Sequence, residues 1–211
     1  MPTITEPRVR NEIEAKLAAN EAAMRDSDVD WNDPDPWNHR AMPWSLGREQ
    51  GDMLYALARA MNARRIVEFA TSVGLSTLHL AAAIRDNGGG TVIGAELVPE
   101  KIEQARTSLD AAGLAEFVEI REGDATRTLR DVGGPVDIVL IDGWPDGQHP
   151  SLDRRVLDLL VPQLRVGGIV FDDNGDNDVR GFLTDPANGF YSADLPFQDR
   201  MSALGILAVK L

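Results

Sequence analysis

Cysteine is absent from the 211 residues of the chain, and its absence removes several kinds of site. Disulfide bonds, thiolate metal centres and cysteine nucleophiles are excluded, so a metal ion would have to bind oxygen or nitrogen ligands. Long apolar runs are absent too. None approaches the roughly 18 residues of a membrane span, and the start MPTITEPRVRNEIEAKL lacks the apolar core of a secretory signal. We therefore expect a cytoplasmic protein with no membrane segment.

Basic residues are scarce: 21 Lys and Arg stand against 34 Asp and Glu, which gives a formal net charge of −13. Such a chain repels a phosphate backbone unless its cations gather on one face, so the composition disfavours a nucleic-acid partner. The length and the 43% hydrophobic content suit one domain that is large enough to cover both faces of a sheet.

Glycine is scarce in the turn of RRIVEFATSVGLSTLHLAAAI, residues 64–84, which leads from a strand-like segment into a helix-like one. Gly74 is its single glycine, whereas a dinucleotide-binding fingerprint has three. The turn resembles a phosphate cradle in outline, but the missing glycines count against a pyrophosphate and against a nicotinamide oxidoreductase.

Strand-like and helix-like segments alternate from residue 65 onwards. TVIGAEL, VDIVLIDG and GGIVFDDN are nearly continuous in apolar residues, which is typical of parallel strands buried on both faces. Helices are predicted over 8–26, 46–62, 76–85, 99–112, 126–132 and 151–163. No helix-length stretch separates YSADLPFQ from ALGILAVKL, so these segments predict an antiparallel pair. The expected fold is α/β: a Rossmann-like, mostly parallel seven-stranded sheet with helices on both faces and an antiparallel C-terminal hairpin.

Acidic residues end the inner strands of the predicted sheet. The set is Glu68, Glu96, Asp124, Asp142, and the pair Asp172 and Asp173 followed by Asn174. Loops favour Asp, so each residue taken alone is most simply a solvated loop residue. In an open parallel sheet, however, ligands bind beyond the carboxyl ends of the strands. Glu96 is placed to accept hydrogen bonds from a ribose diol, whereas Glu68 would repel a pyrophosphate and favour a cation. S-adenosylmethionine meets both conditions.

An ordered series of motifs covers roughly residues 44–211. It runs through LGREQGDMLYALARAMNARRIVEFATSVGLSTLHLAAAI, VIGAELVPEKIEQARTSLDAAGL, IREGDATRTL, VDIVLIDGW and GGIVFDDN. In this order the motifs resemble the class I, cation-dependent O-methyltransferases typified by catechol O-methyltransferase and caffeoyl-CoA O-methyltransferase. The resemblance implies an S-adenosylmethionine-binding methyltransferase domain over 46–211, preceded by an N-terminal helix and a Trp/Pro-rich lid segment over 1–45.

The resemblance also implies which residues meet the cofactor. The set is Leu46, Glu68, Ala70, Thr71, Ser76, Glu96, Leu97, Asp124, Ala125 and Asp142. Glu68 and Ser76 would meet the amino-acid part of the cofactor, and Glu96 the ribose hydroxyls. Ser76 is equally compatible with a plain helix N-cap. Family members usually have glycine at the position of Ala70, and alanine narrows the turn by one methyl group.

A metal site formed by Asp142, Asp173 and Asn174 is a further implication of the resemblance. Three oxygen ligands leave places in an octahedral shell for two substrate oxygens and water, which suits Mg²⁺ or Mn²⁺. Asp172 offers a second register that strand alternation does not decide, and the Asp-Asn pair of the family favours Asp173. Without the resemblance, an acidic loop is more typical of a solvated turn.

The chain departs from the family at the catalytic base. Many members have a lysine three positions after the first metal-binding aspartate, where this chain has Pro145. Methyl transfer needs alignment and a deprotonated acceptor, so a base or a metal ion must take over. Asp146 and His149 are the nearby candidates, and we assign the catalytic set to Asp142 and His149. Reliance on the metal alone and loss of activity are the alternatives.

All four tryptophans fall in the predicted site. They are Trp31, Trp37 and Trp44 in the N-terminal loop and Trp144 beside Asp142. Packing in the core is the alternative, especially for Trp44, but a loop rich in Trp and Pro can also form a wall over a flat acceptor. His39 and His79 are given no role.

The sequence therefore predicts an S-adenosylmethionine-dependent, Mg²⁺-dependent O-methyltransferase that acts on a small catechol-like aromatic or another chelating hydroxy acceptor. One alternative is a tRNA-modifying methyltransferase of the same family, which the net charge disfavours. Another is a non-catalytic S-adenosylmethionine-binding protein, for which Pro145 is the argument. A homodimer is compatible with the resemblance.

Overall fold

The computed structural model describes residues 4–25, 30, 33, 35, 37–144, 146–198 and 204–211. Its α-helices are α1 (Pro7–Arg25), α2 (Arg48–Ala60), α3 (Leu75–Asp86), α4 (Pro99–Ala112), α5 (Ala125–Thr128), α6 (Leu152–Leu160) and α7 (Asn177–Thr184). Its strands are β1 (Arg65–Phe69), β2 (Thr91–Glu96), β3 (Val118–Glu122), β4 (Val136–Ile141), β5 (Leu164–Asp172), β6 (Phe190–Gln198) and β7 (Leu204–Lys210). Within these described ranges no helix has the length and apolar content to cross a membrane.

The seven strands form one sheet in the order β3-β2-β1-β4-β5-β7-β6. The five strands from β3 to β5 are parallel, and β7 pairs antiparallel with both β5 and β6. This confirms the predicted α/β fold with its C-terminal hairpin. Because β2 and β4 flank β1 on opposite sides, the winding direction reverses at β1 and leaves a crevice at the carboxyl ends of β1 and β4.

Alternation along the strands divides the core into two layers. Ile66 faces the layer that contains α1 to α4, whereas its neighbour Val67 faces the layer that contains α5 to α7. Val9 and Ile13 of α1 are buried in the first layer, so this helix packs on the same core as the sheet. The division of the chain after residue 45 stays a prediction.

Two helices differ from the sequence prediction. The helix predicted over 126–132 is a single turn, α5. It begins after its N-cap Asp124, whose side chain accepts a hydrogen bond from Thr126 N, and it ends at its C-cap Leu129, where φ is −100° and ψ is 10°. Helix α7 was not predicted. Its N-cap, Asp176, accepts hydrogen bonds from Asp178 N and Val179 N. The sequence GDNDV contains this capping signal, because aspartate is a preferred N-cap residue.

The turn after β1 is strained. Ala70 has φ of 68° and Ser72 has φ of 49°, both in the left-handed region, and Gly74 follows with φ of 89°. The backbone N–H groups of Ala70 and Thr71 both donate to the carbonyl of Ala95 at 3.1 Å, which holds the turn against the end of β2. The alanine in place of the usual glycine therefore has a conformational cost as well as a steric one.

We expect Ala70→Gly to leave the free energy of unfolding unchanged or to raise it slightly. Glycine relieves roughly 1–2 kcal/mol of left-handed strain, and the greater freedom of the unfolded chain returns about 0.4–1 kcal/mol. Ala82→Gly is the matched control, because Ala82 is buried inside α3 and should lose about 1 kcal/mol or more. Urea unfolding measures both. Equal destabilisation by the two variants would show that the turn is unstrained.

Candidate active site

A cavity of about 700 Å³ opens at the carboxyl ends of the parallel strands. Nine of the predicted site residues line it. They are Leu46, Ala70, Glu96, Leu97, Asp124, Ala125, Asp142, Asp173 and Asn174. Eight of them, from Ala70 to Asn174, come together because the strands that precede them are neighbours in the sheet, and Leu46 reaches the cavity from the segment before α2.

Glu68 lies beneath the cavity and does not line it. Its carboxylate is fully buried and accepts hydrogen bonds from Ser76 Oγ at 2.9 Å and from Thr77 Oγ1. Burial raises the pKa of Glu68 above its ordinary value, against the effect of these hydroxyl donors. Thr71 is buried beside it, and a Cβ added at Gly94 on β2 would fall 2.1 Å from Thr71 Oγ1. The strained turn is therefore supported, on the side away from the cavity, by Glu68, Thr71 and Ser76.

Glu96 joins the turn to the start of α4. One carboxylate oxygen accepts from Ser72 N at 2.7 Å, and the other accepts from Leu97 N at 2.8 Å and Val98 N at 2.9 Å. Its side chain is buried yet borders the cavity. Three backbone donors thus fix its orientation. Oε1 already accepts two hydrogen bonds, whereas Oε2 accepts one and can still accept another from a ligand.

Asp124 and Ala125 form the wall of the cavity below β3. The Asp124 carboxylate accepts from the backbone N–H of Thr126 at 2.8 Å and from its hydroxyl at 2.7 Å. These hydrogen bonds lower the pKa of Asp124, so its carboxylate is ionised at neutral pH. The residue starts α5 and presents Ala125, which is buried, to the cavity.

Asp142, Asp173 and Asn174 meet at the ends of β4 and β5. Asp173 N donates to the carbonyl of Ile141 at 3.0 Å, and Asn174 Nδ2 donates to the carbonyl of Gly143 at 2.6 Å. Asn174 lines the cavity together with the two carboxylates. Burial and then the negative charge of Asp173 raise the pKa of Asp142 well above its ordinary value. These carboxylates repel one another where no cation is bound.

Strand alternation separates Asp172 from Asp173. Phe171 faces the layer of α1 to α4, so Asp172 points into the opposite layer and Asp173 borders the cavity. Asp172 is completely buried, and neither carboxylate oxygen has a hydrogen bond of normal geometry with a described residue. Burial, followed by the charge of Asp153, raises its pKa well above the ordinary range. Of the two adjacent aspartates, Asp173 is the one that borders the cavity, and its position fits the predicted metal site.

Asp153 is the second buried carboxyl behind the site. It lies on α6 and accepts a hydrogen bond from Gly143 N at 3.0 Å, so it anchors the loop that follows Asp142. Burial is the main cause that raises its pKa to about 7, and the charge of Asp176 adds to the effect. Gly143 cannot carry a side chain, since a Cβ there would lie 2.2 Å from Asp153 Oδ1.

Aromatic rings close one side of the cavity. The rings of Trp44 and Trp144 stack with centroids 4.2 Å apart and an interplanar angle of 12°. His39 contacts both, at 4.8 and 4.9 Å, and is buried. Trp144 Nε1 donates to the carbonyl of Asp33 at 2.6 Å, which ties the N-terminal segment to the loop after β4. His39, which was given no role, is therefore part of this wall.

Trp37 is 42% exposed and does not line the cavity, and Trp31 lies outside the described residues. The prediction that all four tryptophans belong to the site holds for two of them. His79 is buried in α3, where its Nδ1 lies 2.9 Å from the carbonyl of Leu75, as ordinary packing predicts.

Comparison with known proteins decides the family. The family described as methyltransferase domain matches residues 67–174. Catechol O-methyltransferase of Mycobacterium tuberculosis is 34% identical over 141 residues, which cover 64% of this chain and 63% of that protein. Caffeoyl-CoA O-methyltransferase 5 of Nicotiana tabacum is 28% identical over 141 residues, which cover 63% of this chain and 56% of that protein. The chain belongs to the class I O-methyltransferases.

A solved structure agrees with this O-methyltransferase family. The crystal structure of cofactor-bound Rv0187 from MTB has a TM-score of 0.66 and 27% sequence identity, and the match covers 94% of this chain and 89% of that one. The chain spans less than two thirds of the length of both curated relatives named above.

The structure does not bring His149 to the cavity. The His149 side chain is 86% exposed, and its Nδ1 lies 2.8 Å from the carboxylate of Asp178 on α7. A loop side chain that faces solvent is not placed to deprotonate an acceptor in the cavity. The structure therefore does not support the predicted role of His149 as a base. Pro145 lies outside the described residues. Asp146 does line the cavity, but it forms a salt bridge with Arg155 at 2.6 Å.

Lys101 is a cavity residue that sequence reasoning missed. It lies in the first turn of α4, is 8% exposed, and has its ammonium 5.7 Å from the ring centroid of Trp44. A lysine in a surface helix normally extends into solvent, whereas Lys101 lies against Trp44 from the loop before α2. The pattern of the sequence around PEKIEQ carries no signal of this contact.

Asp153→Asn should change how stability depends on pH. The ordinary pKa of an Asp carboxyl is 3.8, whereas the pKa of Asp153 in the folded protein is about 7. Asp153 therefore binds its proton more strongly in the folded protein than in the unfolded chain. The parent therefore loses stability as the pH rises from about 4 to about 7, by up to roughly 4 kcal/mol from this group. Asn keeps an oxygen that accepts from Gly143 N and does not titrate, so the variant should be the more stable protein at pH 8.

Urea unfolding at pH 4, 6 and 8 measures this difference. Asp158→Asn on the same helix is the control, because Asp158 is an exposed residue paired with Arg154, and it should follow the parent at every pH. Parallel stability curves for Asp153→Asn and the parent would show that Asp153 is ionised in the folded protein at neutral pH.

Proposed function

We propose that this O-methyltransferase transfers a methyl group from S-adenosylmethionine to a small chelating hydroxy-aromatic acceptor and uses Mg²⁺ or Mn²⁺. The observation that carries the proposal is the meeting of Glu96, Asp142, Asp173 and Asn174 in one cavity with a stacked tryptophan wall. S-adenosylmethionine, when bound, supplies an electrophilic methyl group on a sulfonium, and a divalent cation, when bound, lowers the pKa of a chelated hydroxyl.

The charge of the cavity supports the cofactor. S-adenosylmethionine carries an ammonium and a sulfonium, and the carboxylates that border the cavity favour such cations over a pyrophosphate. Glu96 is held in place by its three backbone donors, and the remaining acceptor position on Oε2 suits a ribose hydroxyl. The strained turn at Ala70 provides backbone for the amino-acid part, and the family relationship with a cofactor-bound structure agrees.

The donor set supports a hard divalent cation. Asp142 and Asp173 offer carboxylate oxygens and Asn174 an amide oxygen, which are the ligands that Mg²⁺ and Mn²⁺ prefer. Among the residues that the structure describes, no group of three or more His, Cys, Asp or Glu side chains could hold a metal ion. The proposed site differs from such a group because it has two carboxylates and one amide.

The aromatic wall supports a flat acceptor. Trp44 and Trp144 border the same cavity as the proposed metal ligands, and stacked indole rings exclude water and favour an aromatic ring beside them. The names of the two curated relatives, catechol O-methyltransferase and caffeoyl-CoA O-methyltransferase, agree with a chelating aromatic acceptor.

A tRNA-modifying role has weaker support. Five arginines could have formed a basic surface: Arg64, Arg65, Arg127, Arg154 and Arg155. Three of them pair with carboxylates, at 3.7 Å for Asp124, 2.9 Å for Asp158 and 2.6 Å for Asp146. Two donate to backbone carbonyls, of Gly89 and Val132. Because these arginines already pair with groups of the protein and the net charge is −13, binding of a phosphate backbone is disfavoured.

Methyl transfer from labelled S-adenosylmethionine to a panel of catechols tests the proposal. We expect transfer with Mg²⁺ and none with EDTA. Asp173→Asn should lower the rate by roughly 10²–10⁴, the range for the loss of acceptor activation. Asp172→Asn is the matched control and should retain most of the activity, because Asp172 faces the opposite layer. Full activity in EDTA would exclude the metal, and no transfer to any acceptor with any divalent ion would favour a non-catalytic cofactor-binding protein.

A further inference from the structure

The cavity of this acidic protein contains a buried lysine that the proposed chemistry leaves without a partner. Lys101 is 8% exposed, and burial lowers its pKa, whereas the charges of Glu96 and Asp142 raise it. It has no salt bridge with a described residue, and its ammonium lies over the face of Trp44, 5.7 Å from the ring centroid. Burial of an ammonium is costly unless a charged or polar partner compensates it.

Glu96 is an incomplete partner for Lys101. Both of its carboxylate oxygens already accept hydrogen bonds from the backbone N–H groups of Ser72, Leu97 and Val98. No salt bridge among the described residues joins Glu96 to Lys101, so the Glu96 carboxylate supplies a favourable potential without a direct ion pair with the ammonium. The three N–H donors of Lys101 remain for a group inside the cavity.

The other basic side chain among the described cavity residues is already engaged. Arg155 forms a salt bridge with Asp146 at 2.6 Å and donates to the carbonyl of Pro150 at 2.6 Å. Within the described lining, Lys101 is thus the lysine or arginine that has no carboxylate salt bridge. Among the described side chains that line this carboxylate-rich cavity, Lys101 is therefore the one that offers an anionic group of a ligand a positive charge without a salt bridge.

We propose that Lys101 binds the carboxylate of the methionine part of S-adenosylmethionine, an inference that rests on the proposed function. The cofactor has two cationic groups and one anionic group, and the cavity has several carboxylates and one unengaged lysine. Lys101 lies within electrostatic reach of Glu96, which suits the ribose, and of Asp142. Lys101, Glu96 and Asp142 line the same cavity, so a ligand carboxylate a few bonds from both the ribose and the sulfonium can lie beside Lys101. Lys101 is a cofactor-binding residue in this account, and it does not take the acceptor proton.

Calorimetry with S-adenosylhomocysteine and its decarboxylated form tests the inference. The parent should bind S-adenosylhomocysteine roughly 10- to 100-fold more tightly than the decarboxylated form, and Lys101→Met should lose this preference while it binds the decarboxylated form within about threefold of the parent. Lys101→Arg should keep most of the preference because it keeps the charge. Lys16→Met is the control, since Lys16 lies on α1 and donates to the carbonyl of Gln104 outside the cavity.

The outcomes that overturn the inference differ from one another. Equal weakening of both ligands by Lys101→Met would mean that Lys101 only supports the fold. Unchanged affinity for S-adenosylhomocysteine with an altered pH profile of methyl transfer would place Lys101 beside the acceptor. If Lys101→Met does not fold, Lys101→Gln gives the same comparison, and equal affinity of the parent for the two ligands overturns the inference without any variant. A parent that binds neither ligand contradicts the proposed function itself.

Discussion

Electrostatic repulsion between carboxylates at one edge of the sheet is the constraint on which the site depends. Asp142 is surrounded by Asp173, Asp153, Asp172 and Glu68, and burial and these charges together raise its pKa well above the ordinary range. Such a cluster is stable only when protons, cations or backbone donors compensate it. Each part of the site provides one of these stabilising groups, and a bound divalent cation would offset the repulsion between the carboxylates most strongly.

The compensation differs with the position of each carboxyl. Backbone N–H groups fix Glu96 beside the cavity, and hydroxyl groups fix Glu68 beneath it. Asp153 and Asp172 lie behind the site, where burial favours their protonated forms. The proposed chemistry then falls to the carboxylates that border the cavity. The buried carboxyl of Asp153 also holds the loop after Asp142 in place, because it accepts a hydrogen bond from Gly143 N.

The sheet, its C-terminal hairpin and the carboxyl edge could be predicted because they follow from apolar periodicity and the rules for parallel strands. The roles of Lys101 and His39 could not, since both depend on contacts with tryptophans distant in sequence or in another element. His149 was misplaced for a related reason: proximity to Asp142 in sequence does not give the direction of a loop side chain. The choice between Asp172 and Asp173 required the register of β5, which sequence alternation alone left open.

Binding of Mn²⁺, followed by electron paramagnetic resonance, tests the central claim most directly. The account predicts one Mn²⁺ site in the parent, weakened at least roughly tenfold in Asp142→Asn because a charged ligand is lost. Asp158→Asn, which removes an exposed carboxylate of α6, should bind Mn²⁺ as the parent does. Absence of a Mn²⁺ site in the parent, or equal binding by the parent and Asp142→Asn, would contradict a cation-binding role for the carboxylates at the edge of the sheet.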